Sequence, residues 1–155
     1  MRLNALTALA AARAIGVEPH GLIEVELSAR RGQRVELANG AVVVDDCYNA
    51  NPMSMRVALD ELARAPGRRV AVLGDMLELG PDERRFHEEL GAYARERADV
   101  VVTVGPRAAA MAGDHAVADA AQAAALVAEL VRPGDTVLVK ASRGVGLEAV
   151  AEALV

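Results

Sequence analysis

Short runs of β-branched and aliphatic residues return along this chain at intervals filled by helix-forming sequence, and that alternation limits the fold more than any other feature. Val42-Val43-Val44, Arg69-Val70-Ala71-Val72-Leu73, and the stretches 99–104 and 136–140 read as strands too continuously apolar to have a solvent face. Helical patterns fill 52–65, 82–97 and 120–131, and a last one covers 147–154. After Gly105-Pro106 the sequence suggests a short helix and then a brief strand over 115–118, while Pro133-Gly134-Asp135 is a turn. Strands alternating with helices require crossovers and give a parallel sheet covered on both faces. Ahead of the first crossover, Arg34-Val35-Glu36-Leu37 and the run 41–45 flank Ala38-Asn39-Gly40, a strong hairpin signal. The first of these strands alternates and belongs at a sheet edge; the second is continuous and should be buried. The expected fold is α/β: a Rossmann-like three-layer domain with a mostly parallel sheet and one antiparallel edge hairpin strand.

Residues 4–15 are strong helix formers and Gly16 is a plausible stop, with Leu3, Leu6, Leu9 and Ala10 along one side. A second short helix is expected over about 20–29, after Pro19. The pair forms an appendage with no core of its own. A net charge of −5 offers no basic stripe for a phosphate backbone, so no nucleic-acid partner is expected. One cysteine among 155 residues excludes an internal disulfide framework. No apolar run approaches the roughly 20 residues that cross a bilayer. These features predict a cytoplasmic protein without membrane insertion.

Chemistry is expected where strands end, because in open α/β sheets ligands gather outside the carboxyl ends of the strands. The most informative such place is Asp45-Asp46-Cys47-Tyr48-Asn49-Ala50-Asn51-Pro52, between a strand and a helix. Asn51, Pro52 and Ser54 have the chemistry of a helix cap. Asp45 and Asp46 repel each other and point to opposite sides of a continuing strand, so at most one faces a cleft. Asp46 is the better placed, to meet a ribose hydroxyl or a metal-bound water. Tyr48, one of only three aromatic residues, offers a stacking surface or a polar handle. A second loop, 74–80, contains the carboxylates Asp75 and Glu78, with His87 downstream. It reads equally as a structural turn. A third, 140–146, joins Lys140, Ser142 and Arg143 to two glycines and suits a carboxylate. His20, His87 and His115 show no metal-ligand spacing, and no metal site is expected. The charged run 82–85, with Glu88 and Glu89, decorates a helix face with acids first, as the macrodipole favours.

These segments together, Asp-Asp-Cys-Tyr-Asn-Ala-Asn-Pro-Met-Ser-Met, Val-Leu-Gly-Asp-Met-Leu-Glu-Leu-Gly and Leu-Val-Lys-Ala-Ser-Arg-Gly-Val-Gly-Leu-Glu, resemble in order the carboxyl-terminal domain of the Mur ligases. The tyrosine-asparagine loop is most similar to the D-alanyl-D-alanine-adding branch, MurF. The resemblance implies a three-domain enzyme, with residues 1–30 a helical remnant of the central ATPase domain and 31–155 the carboxyl-terminal Rossmann-like domain. It implies an ATP-dependent ligase of peptidoglycan synthesis, using Mg2+, that adds D-alanyl-D-alanine to UDP-N-acetylmuramoyl-tripeptide through an acyl phosphate. On that resemblance Arg34, Asp46, Tyr48 and Asn49 are the ATP-binding candidates, with Arg31 a rival to Arg34. Lys140, Ser142 and Arg143 are the candidates for D-alanyl-D-alanine, and Cys47 is a small loop residue where the family often has serine. The family's Gly-x-x-Gly-Lys-Thr phosphate loop is absent from the sequence. The missing central and amino-terminal domains are therefore expected partners, and the chain alone is expected to be inactive. The bare α/β pattern also suits a non-catalytic nucleotide- or small-ligand-binding module.

Overall fold

The computed structural model of the chain describes residues 2–21 and 30–155. In chain order its elements are α1 (Arg2–Ala14), β1 (Gln33–Glu36), β2 (Val42–Asp45), α2 (Pro52–Ala63), β3 (Arg69–Gly74), α3 (Glu83–Arg95), β4 (Val100–Val104), β5 (His115–Val117), α4 (Ala120–Leu130), β6 (Thr136–Lys140) and α5 (Glu148–Leu154). Single 3-10 turns occupy Gly80–Asp82, Ala108–Met111 and Arg143–Val145. The sheet order is β1-β2-β6-β3-β4-β5. Only β1 and β2 are antiparallel; every other pair is parallel. The second helix expected near 20–29 falls largely on 22–29 and lies outside the described residues.

Strand alternation divides the core into two layers. Val70, Val72, Val102, Val104, Val137 and Val139 face one way, against Ala123 and Val127 of α4 and Val150 and Ala151 of α5. Ala71, Leu73, Val101 and Leu138 face the other, against Met55, Leu59 and Leu62 of α2 and Leu90 and Ala94 of α3. Gly91 lets α3 settle onto the turn 108–111: a Cβ there would run into the carbonyl of Met111.

The ends of the helices follow from local chemistry. Asn51 Oδ1 accepts the Ser54 N–H at 2.9 Å while the Asn51 N–H donates to Ser54 Oγ at 3.1 Å, closing a capping box. Pro52 is the first helical residue, where its missing N–H costs nothing. Asp119 caps α4 by accepting the Gln122 N–H at 2.9 Å. At the end of α1, Gly16 has φ +78°, and Gly16 and Val17 donate to the carbonyls of Arg13 and Ala12, a Schellman stop. On α1 Leu6 is 62% exposed and Leu9 is exposed, as is Ile15 just beyond the helix.

One expectation needs correction. β2 is not buried throughout: Val43 is, but Val42 and Val44 are only partly covered. The reason is the placement of α2, which packs over β6 and β3 and leaves the adjoining face of β2 open. That uncovered strip is where the cleft forms.

Candidate functional site

The chain leaves β2 and β3 toward the α2–α3 layer and leaves β6 toward α5 in the opposite layer. Because β6 lies between β2 and β3, connections diverge to opposite faces at its carboxyl end. Such a divergence opens a crevice that a ligand can enter. The 46–51, 75–79 and 141–146 loops all meet there.

Asp46 sits one residue past β2, its N–H donating to Val139 O at 2.9 Å and continuing the parallel ladder. Alternation separates the two carboxylates as the sequence requires. Asp45 turns to the α5 side, with Val43, and accepts the Cys47 N–H at 3.1 Å. Asp46 turns to the α2 side, where Oδ2 accepts from Lys140 Nζ at 2.7 Å. The same ammonium donates to the Asn49 carbonyl at 2.9 Å. Lys140 is 2% exposed, so an ion pair is embedded beneath the loop with Asp46 at its solvent side. Cys47 is buried and its S–H points at Val139 O, 3.3 Å away. Burial, followed by the neighbouring Asp45, pushes its thiol well above the usual range, and this is no nucleophile.

Asp46 and Lys140 close one end of a cleft of about 720 Å³. Arg34, Val44 and Leu138 form one row across β1, β2 and β6, and all three line it. Arg31, Tyr48 and Asn49 complete its polar rim. The Arg31 guanidinium stacks 4.1 Å from the centre of the Tyr48 ring, and that of Arg143 stands 5.9 Å from it. Met53 and Val57 of α2, 78% and 59% exposed, supply the opposite apolar wall.

Arg34, Asp46, Tyr48 and Asn49 are thus brought together, as is Arg31, the rival of Arg34. Lys140 meets this group from beneath, at Asp46 and Asn49. Ser142 is buried and serves as a strut: its Oγ accepts the Leu77 N–H at 2.9 Å and its hydroxyl faces Ala50 O at 3.4 Å. Its own N–H donates to Asp75 O at 3.0 Å, so it ties all three loops. Arg143 is exposed and reaches back over Tyr48.

Of the remaining candidates, Asp75 is occupied by structure: its Oδ1 accepts the N–H groups of Arg107 and Ala108 at 3.0 and 2.7 Å, holding the turn after β4. Glu78 is exposed and held at φ +62°, a left-handed backbone. His87 is fully buried, with Nδ1 2.7 Å from Glu83 O and Nε2 3.0 Å from Met76 N. Its proton therefore sits on Nδ1, both ring nitrogens are used, and its work is to fasten the 75–79 loop to α3. Sequence reasoning missed the apolar wall. Its one signal was Met53 and Val57 at helical spacing, on a face with no strand to cover.

Among the described residues no three His, Cys, Asp or Glu gather as a metal site, and no helix is long and apolar enough to cross a membrane. The cleft residues do not suit magnesium either: the Asp46 carboxylate is already neutralised by the Lys140 ammonium.

Residues 30–143 match the family described as Mur ligase, glutamate ligase domain. The chain belongs to the Mur ligase family. The UDP-N-acetylmuramoyl-tripeptide--D-alanyl-D-alanine ligase of Mycobacterium leprae is 42% identical over 158 residues, covering 83% of this chain and 30% of that protein. Its Bacillus subtilis counterpart is 35% identical over 99% of this chain and 37% of its own length. Among solved structures, MurF ligase from Thermotoga maritima in complex with ADP superimposes with a TM-score of 0.81 at 34% identity, over 98% of this chain and 37% of that one. MurF from Acinetobacter baumannii gives 0.83 at 32% identity, over 97% and 36%. The chain thus spans about a third of the length of these Mur ligases.

Proposed function

We propose that this chain is the carboxyl-terminal domain of an ATP-dependent ligase that adds D-alanyl-D-alanine to UDP-N-acetylmuramoyl-tripeptide in cytoplasmic peptidoglycan synthesis. The observation that carries this reading is the convergence of Arg31, Arg34, Asp46, Tyr48 and Asn49 on one cleft, in a chain similar to a MurF ligase holding ADP. In this reading Asp46 accepts a hydrogen bond from a ribose hydroxyl, and Arg31 and Arg34 face phosphate charge. The apolar wall and the exposed edge of Tyr48 take the base. Ser142 holds the neighbouring loop in shape so that Arg143 meets the carboxylate of the dipeptide.

The chemistry requires a second half. ATP phosphorylates the carboxylate of the tripeptide; the free amine of D-alanyl-D-alanine attacks the resulting acyl phosphate, and phosphate departs from the tetrahedral intermediate. No phosphate loop exists in this sequence, so the γ-phosphate must be held by a central domain upstream. Residues 1–30 are then the end of that domain, which accounts for the uncovered Leu6 and Leu9 on α1. This domain contributes closure, which keeps water from the acyl phosphate.

The test is an ADP-release assay on this domain joined to its central and amino-terminal domains. ADP should form only when D-alanyl-D-alanine and UDP-N-acetylmuramoyl-tripeptide are both present, with the pentapeptide product seen by mass. Turnover with another amino acid and not the dipeptide would overturn the substrate assignment. Nucleotide binding with no ligation in the presence of both substrates would leave only a binding module.

A further inference from the structure

Lys140 poses a problem for any reading that makes the 140–146 loop a single substrate cradle. Its side chain does not accompany those of Ser142 and Arg143. It leaves the end of β6, passes beneath the 46–51 loop, and places its ammonium 2.7 Å from Asp46 Oδ2, 2.9 Å from Asn49 O and 3.5 Å from Asp46 O. An ammonium has three donors and no acceptor, and these oxygens account for its directions. With Lys140 2% exposed, an incoming carboxylate would have to displace the loop to reach it. Asp46 is different: its side chain is 24% exposed and lines the cleft. Among the described residues Lys140 is the only side chain bonded to it, and through Oδ2.

We propose that Lys140 is a positioning residue for the nucleotide side of the site, fixing the Asp46 carboxylate and the Asn49 carbonyl, and is no ligand of the dipeptide. The inference rests on the reading of the cleft as a nucleotide lip. Two physical consequences follow. The buried ammonium locks the direction in which the free oxygen of Asp46 points. It also neutralises that carboxylate from behind, so the exposed oxygen suits a neutral hydroxyl donor and gains less from a cation or an amine. A sugar hydroxyl is such a donor.

The experiment uses the complete ligase and compares Lys140→Met, Asp46→Asn and the double variant. Steady-state constants are measured for ATP, for 2′- and 3′-deoxy-ATP and for D-alanyl-D-alanine. Lys140→Met should raise the KM for ATP by about tenfold or more, by analogy with the loss when the outer hydrogen-bond partner of a metal ligand is removed. It should also erase the preference for ATP over the deoxy nucleotide whose hydroxyl is read, and leave the KM for the dipeptide within about twofold. Because the lysine bears on the hydroxyl only through Asp46, the double variant should lose no more of the hydroxyl preference than Asp46→Asn alone, while loss of the bond to Asn49 O can raise its KM for ATP further. A fold defect would not by itself move the hydroxyl preference. Should Lys140→Met fail to melt cooperatively, Lys140→Gln, which keeps an N–H donor, is measured in its place: part of the hydroxyl preference should remain, and a raised KM for the dipeptide overturns the inference. If Asp46→Asn keeps the wild-type hydroxyl preference, the nucleotide reading falls and this inference with it. If Asp46→Asn behaves as expected while the lysine variant raises the KM for the dipeptide or keeps the wild-type hydroxyl preference, the positioning role is lost and only this inference is overturned.

Discussion

Ser142→Ala separates a loop strut from a substrate ligand with a single oxygen atom. The substitution removes the hydroxyl that accepts the Leu77 N–H at 2.9 Å and faces Ala50 O at 3.4 Å, while leaving the backbone bond from Ser142 N to Asp75 O intact. The volume lost is small, so the cost is that of hydrogen bonding. The long contact to Ala50 O contributes little. The Leu77 amide, partly buried, loses its acceptor, and an unsatisfied donor of that kind costs about 1–2 kcal/mol. For a domain of this size that corresponds to a fall in Tm of roughly 2–8 °C. Urea unfolding followed by circular dichroism reads the same quantity as a shift in midpoint at constant slope. Since the hydroxyl holds the 75–79 loop against the 141–146 loop, the proposed function predicts that ligation by the complete enzyme falls through looser placement of Arg143. Threonine, which keeps the oxygen, should restore part of both. The reasoning is refuted if Ser142→Ala changes stability by less than about 0.5 kcal/mol, the scale of a neutral surface change, yet abolishes use of the dipeptide. Ser142 would then touch substrate directly.

Three further outcomes follow from packing and charge. Gly91→Ala gains about 1 kcal/mol of helix propensity but drives a methyl into the Met111 carbonyl, and a net loss of about 1–3 kcal/mol is expected on thermal unfolding. A neutral or stabilising result would mean that α3 and the 108–111 turn separate easily. Glu78→Gly relieves the left-handed backbone at φ +62° and should leave stability unchanged or raise it by up to about 1 kcal/mol. A clear loss would reveal an interaction of the carboxylate. Arg69, through its guanidinium first and its backbone N–H second, lowers the Asp99 carboxyl from its ordinary 3.8 to about 2. A depressed carboxyl stabilises the fold above its unfolded pKa and loses that contribution as pH falls through the folded one. The difference in urea midpoint between wild type and Asp99→Asn should therefore be constant above about pH 4 and vanish toward pH 2. With the Asp99 side chain 41% exposed, its size should be about 1 kcal/mol or less. A gap that persists at pH 2 would assign the effect to something other than charge.

The sheet was legible because its strands carry β-branched runs and its helices begin at residues with capping chemistry; Asn51-Pro52 and Asp119 announce α2 and α4 directly. The opposed directions of Asp45 and Asp46 follow from strand alternation alone. What could not be read were relations between distant segments. Lys140 and Asp46 are 94 positions apart and meet because β2 and β6 pair in parallel with Asp45 opposite Val139. Proximity in sequence grouped Lys140 with Ser142 and Arg143, and all three do meet the 46–51 loop, but Lys140 from beneath at Asp46 and Asn49, Ser142 at Ala50 and Arg143 over the Tyr48 ring. His87 was ambiguous for a similar reason: its two partners, Met76 N and Glu83 O, are backbone groups, and backbone partners leave no trace in residue identity. The partial exposure of β2 was hidden because an uncovered valine and a buried one are the same letter.

The claim that this chain carries one lip of a nucleotide site is tested most directly by titrating ADP into the isotopically labelled chain and following its amide resonances. The account predicts shifts concentrated at Arg31, Arg34, Asp46, Tyr48 and Asn49, with affinity weaker than micromolar because the phosphate-holding half lies in another domain. Shifts centred on the 75–79 and 141–146 loops, or micromolar binding by this chain alone, would contradict it.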